Sequence, residues 1–173
     1  MSQRFRRSVR GLRHRGFTLI EAVVATSIIG VGVAALFVSL KAGTEVNGAS
    51  AELTRAVFVA QEIREWTLKL PFTDPDPGDQ GNPPGPDGTS PEYWVDDLDD
   101  LMDVVYSPPR DGCGNTLYDL EGWSQHITLT WRNPDNLSAI VTPGATDVVR
   151  VQVEVSRGTR ALLTTGWFVT RGQ

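Results

Sequence analysis

Cysteine is almost missing from this chain: Cys113 stands alone, so no internal disulfide can staple the fold. Histidine is nearly as scarce. With only His14 and His126, there is no Cys/His cluster for structural zinc and no set from which a Ser/His/Asp triad can be argued. No glycine-rich phosphate loop follows a strand pattern, because the Gly30-Val-Gly32 pair lies inside a long apolar run. No catalytic residue is assigned and no enzyme is expected. Acids are absent from the first sixteen residues, which hold six of the sixteen basic side chains (Arg4, Arg6, Arg7, Arg10, Arg13 and Arg15). From residue 17 onward ten bases face twenty-one acids, and so acidic a body argues against a nucleic-acid partner, since phosphate contacts need a basic face. What remains is a chain of 173 residues, 40% apolar, long enough for one modest domain held together by packing.

Phe17 to Leu40 is a run of twenty-four residues in which Glu21 is the only charge. As a helix it extends roughly 36 Å, enough to cross a hydrocarbon core of about 30 Å with some tilt. Arginines on the N-terminal side place residues 1–16 in the cytoplasm and everything after Lys41 outside. An ordinary secretory signal peptide has a shorter apolar core and a small-residue cleavage site after it. An acid inside a span is expensive and points to function, with a cation as its expected partner; a plain anchor would instead let Glu21 snorkel to the interface. Gly30 and Ala34, at small-xxx-small spacing, permit close helix approach but are common in any membrane helix.

Arg15-Gly16 followed by Phe17-Thr-Leu-Ile-Glu21 resembles the N-terminal signature of class III signal sequences, those of bacterial type IV prepilins and type II secretion pseudopilins. The resemblance implies cleavage after Gly16 by a membrane prepilin peptidase on the cytoplasmic side, and methylation of the new amino group of Phe17. It implies that the apolar segment stays in the mature chain. It also implies that Glu21 pairs with the N-terminal ammonium of a neighbouring subunit, which supplies the missing cation. The partners are then other pilin or pseudopilin subunits, the peptidase and the inner membrane, with the C-terminal domain periplasmic. Two departures, Val38 near where many major pilins carry a proline and the missing cysteine pair, lean towards a minor pilin or pseudopilin. The competing reading is a monomeric, single-span membrane-anchored binding module that never polymerises.

All eleven prolines come at or after Pro71, so the helix of the span can continue to Leu70. Between 44 and 70, Val46, Ala49, Leu53, Ala56, Val57, Ala60, Ile63, Trp66 and Leu70 recur at three- and four-residue steps, an amphipathic continuation over 41–70. Glu52–Arg55 and Glu65–Lys69 are at ion-pair spacing. Residues 71–91 are a Pro/Gly-rich loop, and from Asp74 to Asp103 there are ten acids (Asp74, Asp76, Asp79, Asp87, Glu92, Asp96, Asp97, Asp99, Asp100 and Asp103) and no base. Calcium suits such oxygen ligands, and the resemblance adds that major pseudopilins bind it. The run lacks the Asp-x-Asp-x-Asp-Gly order of a calcium loop, however, so no metal ligand and no cofactor is assigned, and the charges read as a solvated face. Asp111-Gly-Cys-Gly-Asn115 reads as a turn.

The remainder carries alternating patterns. Residues 123–132 put Trp123, Gln125, Ile127, Leu129 and Trp131 on one face, with His126 on the other; 147–156 repeat the device with Val149, Val151, Val153 and Val155; 160–171 fit a return strand after a tip at Arg157-Gly158. Asn136-Leu-Ser138 is a glycosylation sequon of a kind common by chance. The tryptophans at 66, 94, 123, 131 and 167 are expected as core and interface anchors. The expected fold is α+β: a long N-terminal helix packed on a small antiparallel sheet within a head spanning 71–173.

Overall fold

The computed structural model describes residues 16–78, 83–87 and 95–172. The leader up to Arg15, with His14, and the expected loop residues Asp79, Glu92 and Trp94 lie outside the described residues. The order of elements is α1 (Leu19–Thr67), a 3-10 turn (Asp99–Leu101), β1 (Val104–Tyr106), a second 3-10 turn (Tyr118–Leu120), β2 (Trp123–Asn133), β3 (Asn136–Ile140), β4 (Val148–Arg157) and β5 (Arg160–Thr170). The architecture is α+β, one long helix and a small antiparallel sheet. By contacts the chain falls into two units, one up to Asn47 and one from Gly48 onward.

In the first unit α1 is exposed on every side from Leu19 to Asn47. It is long and apolar enough to cross a membrane, with a mean hydropathy of 2.4 in its most apolar window. The helix runs through Val38 unbroken, as the lack of proline dictates.

In the second unit the remaining part of α1 supplies a buried face of Ala56, Val59, Ala60, Ile63, Trp66 and Thr67. This narrows the expected stripe. Leu53 and Val57 point to solvent, at 49% and 41% exposure, and Val59, which the periodicity missed, is fully buried. The helix ends three residues before the expected Leu70, because Lys69 N and Leu70 N both bond back to Trp66 O in a closing turn before Pro71. The sheet order is β1-β2-β4-β5 with β3 also on β2, every pairing antiparallel. Ile127 sits opposite both Val104 and Val153, and Leu129 opposite Val151, which in turn faces Trp167, so the inward rows of the strands meet in one core with the helix. β1 and β3 carried no readable signal, being three and five residues long. Gly158, with φ 58°, occupies the left-handed position at the β4–β5 tip that the sequence marked.

Two expected ion pairs along the helix are replaced by contacts across the head. Glu52 pairs with Arg157 and with Arg160 at 3.6 Å, at the hairpin tip, and Lys69 Nζ donates to Gly112 O at 2.7 Å. The Asp111–Asn115 turn docks on the helix, where Gly112 N donates to Glu62 Oε2. A Cβ at Gly114, already at φ 81°, would stand 2.8 Å from the Trp66 ring. Gln125 is the single fully buried amide on the inner face of β2. Its Nε2 donates to Val59 O (2.9 Å) and Arg110 O (3.1 Å), and its Oε1 accepts from Arg110 N (2.7 Å). A buried polar group stripped of its partner costs about 1–3 kcal/mol. Gln125→Leu orphans groups on two segments at once and is expected to lower unfolding stability in denaturant titrations by about 2–4 kcal/mol, whereas Gln152→Leu on the outer face should stay within about 0.5 kcal/mol. Equal effects at the two positions would show that Gln125 does not hold helix to sheet.

Candidate functional site

The residues singled out by the sequence, Gly16, Phe17 and Glu21, gather around the start of α1. Gly16 and Phe17 lie outside the helix and are exposed, Phe17 at 80%. Thr18 is the residue before the helix. Its Oγ1 accepts from Glu21 N at 3.3 Å, and its own N–H and hydroxyl donate to Glu21 Oε2 at 3.3 and 3.1 Å. This is a capping box, in which two otherwise orphaned donors are satisfied reciprocally and the carboxylate lies at the positive end of the helix dipole. Thr18 was missed as a site residue, although Thr-x-x-Glu at the head of an apolar run is the sequence signal for this motif. A Cβ built on Gly16 meets nothing within 4 Å, so nothing in the described chain requires glycine there.

The family model of the prokaryotic N-terminal methylation motif, the type IV prepilin signature, matches residues 11–37. The chain carries a prepilin signature. Such a signature indicates processing by prepilin peptidase and assembly with other pilin subunits, and it points to a structural subunit. No curated protein and no solved structure gives a significant match to the chain. The matched residues cover the Gly16–Phe17 bond, the capping box and most of the apolar part of α1, and none of the head.

Beyond the prepilin signature, the head holds three polar constellations. His126, on the outer face of β2 as expected, pairs through Nε2 with Asp103 Oδ1 at 2.8 Å, Asp103 taking a left-handed φ of 60°. Asp111 gathers N–H groups of Cys113 and Asn115 and the Asn115 amide. Burial raises its pKa, but these hydrogen bonds outweigh burial and hold the carboxyl below its ordinary value.

The third corrects an expectation. The acidic run is not simply a solvated face: Asp97 and Asp100 are 2% and 1% exposed. Asp100 Oδ1 accepts from Asp87 N (2.9 Å) and Oδ2 from Asp96 N (2.9 Å) and Asp97 N (3.4 Å), while Asp97 Oδ1 accepts from Asp99 N (2.9 Å) and Asp100 N (3.2 Å). The two carboxyls close the 3-10 turn whose Leu98 and Leu101 enter the core, and Leu98 N donates to Pro71 O to tie this turn to the helix exit. Asp96, Asp97 and Asp100 each bring an oxygen within 4.8 Å of the others, the donor type a hard cation takes, yet three of these six oxygens already cap backbone N–H groups. The geometry makes them turn caps, and no metal ligand is assigned.

Burial, with a hydrogen bond to Asp99 and the charge of that carboxylate, pushes Asp97 up to about 8. The folded head therefore keeps a proton that the unfolded chain releases above 3.8, and between these values stability falls as pH rises, flattening above pH 8. Thermal unfolding should show the midpoint dropping from pH 5 to pH 8. Asp97→Asn, which keeps an acceptor for Asp99 N and Asp100 N and a donor for Asp99, should flatten that slope and raise the midpoint at pH 8. A slope unchanged in this variant would remove Asp97 as its source.

Proposed function

We propose that this chain is a minor pilin or pseudopilin, a structural subunit of a type IV pilus or type II secretion pseudopilus. Prepilin peptidase cuts it between Gly16 and Phe17 on the cytoplasmic side of the inner membrane, and the amino group of Phe17 is methylated. The apolar half of α1 holds the subunit in the membrane with the head in the periplasm, and later packs among the same helices of neighbouring subunits. The observation that carries this reading is the prepilin signature at residues 11–37, seated on a helix whose apolar residues from Leu19 to Asn47 are exposed and have no partner among the described residues. Leu19, Ile20, Ile28, Val31, Leu36 and Phe37 are each more than 60% exposed, a surface that only lipid or other helices can cover. The uninterrupted helix at Val38 and the lone Cys113 support a minor rather than a major subunit.

In the assembled filament Glu21 pairs with the ammonium group of a neighbouring Phe17. A paired charge in a dry helical core sets register, and an unpaired one is excluded. The competing reading, a membrane-anchored module that never polymerises, has one observation in its favour: the capping box gives Glu21 a role within its own chain. Glutamine serves a capping box as well as glutamate but cannot neutralise an ammonium. Glu21→Gln is therefore expected to leave membrane insertion and subunit level unchanged and to abolish recovery of the subunit in sheared filaments. Incorporation equal to that of the unmodified chain would favour the anchor.

Intact-mass measurement on protein recovered from membranes of a host with an active prepilin peptidase should give a chain starting at Phe17 with one added methyl group. Gly16→Leu should retain residues 1–16 while folding normally. A chain that keeps its leader without any substitution would overturn the subunit reading.

A further inference from the structure

We infer that the free edge of β5 is a docking strand that takes an extended, apolar segment bearing a carboxylate from a different protein, adding it to the sheet as a further strand. The inference concerns the head alone and stands whether or not the Gly16–Phe17 bond is processed.

β5 is the terminal strand of the sheet, eleven residues long, so its outward N–H and C=O groups have no strand beside them among the described residues. Natural edge strands of this length carry charges, prolines or bulges that discourage pairing. From Ala161 to Thr170 there is no charge and no proline, and the one irregularity of the β4–β5 ladder sits at its tip, beside Val155 and Ser156. Trp167, Phe168 and Val169, with Thr164, Thr165 and Thr170, are strong strand formers. The inward residues of β2 and β4 are buried, but those of β5, Leu163, Thr165, Trp167 and Val169, are only half-buried, so the core is open along this edge.

The opening is a groove of about 390 Å³ between α1 and β5, lined by Val57, Ala60, Gln61, Arg64, Leu163 and Trp167 among others. Val57, Ala60, Leu163 and Trp167 give it an apolar part beside Gln61 and Thr165, and its one charge is positive. Arg160 and Arg171, at the ends of β5, already hold Glu52 and Asp147, whereas nothing pairs with the Arg64 guanidinium among the described residues. An added strand presents alternate side chains to the groove, and the groove calls for apolar residues with one carboxylate at the height of Arg64. A second copy meets these terms poorly. Antiparallel pairing of β5 with itself brings Arg160 against the Thr170–Arg171 end of the other copy at both ends, and the opposite sheet edge offers only the three residues of β1 and the five of β3.

The test uses the full chain in detergent micelles and the synthetic peptide acetyl-Thr-Val-Thr-Glu-Thr-Val-Thr-amide, with amide hydrogen exchange as readout. Protection gained within 160–170 at millimolar peptide, with the central-lysine peptide weaker by about tenfold, is the expected result, that ratio being what a modest charge-assisted bond gives. Arg64→Glu should reverse the preference between the two peptides, and as an exposed-face exchange on a helix it leaves the core intact. The same peptide methylated at every backbone nitrogen should give no protection. Unchanged exchange in β5, equal protection by the methylated peptide, or equal binding of the glutamate and lysine peptides would each overturn the inference. Protection that grows with protein concentration in the absence of peptide would overturn it in favour of self-pairing.

Discussion

The carbonyl of Val59 and both backbone polar groups of Arg110 meet at one buried amide, that of Gln125, and the head can satisfy all of them only if α1 lies against the inner face of β2 in a single register. Hydrophobic burial of Ala56, Val59, Ala60, Ile63 and Trp66 against the valines of β4 supplies the bulk of the driving force, but it is non-directional and tolerates sliding. A fully satisfied buried polar group does not, because any slip leaves its donors dry and unpaired. The contacts further out follow from that register. Trp167 Nε1 reaches Thr67 Oγ1, the Asp111–Asn115 turn reaches Glu62 and Lys69, and the β4–β5 tip reaches Glu52.

The two units of the chain handle their chemistry in opposite ways. From Leu19 to Asn47 every residue is exposed, and the polar groups at the start of the helix, Thr18 and Glu21, satisfy each other. Among the described residues nothing covers the apolar surface of this unit. In the head, by contrast, acids that composition would place in water are drawn in as turn caps, with Asp97 holding its proton because burial disfavours its charged form and the neighbouring Asp99 carboxylate adds to the effect. The head also leaves its sheet unfinished along β5.

Periodicity made the major elements legible. Alternation located β2, β4 and β5 to within a residue or two, and the absence of proline before Pro71 set the reach of α1. The prepilin signature around Gly16, Phe17 and Glu21 was legible because it is a contiguous string that needs no tertiary structure to bring it together. Local pattern could not show which part of the amphipathic stripe is buried: Val46 and Leu53 have the same spacing as Ile63, and only the footprint of the sheet distinguishes them.

The sequence by itself determined to within about three residues where one long helix begins and ends, which strand faces turn inward, and that the N-terminal segment carries a processing signature, since each depends on residues close along the chain. The tertiary structure alone decided that Glu52 and Lys69 reach across the head instead of along the helix, that Asp97 and Asp100 are buried, and that β5 ends the sheet beside an open groove. Those outcomes depend on which distant segments compete for the same donor, acceptor or surface, a competition that exists only once the chain has folded.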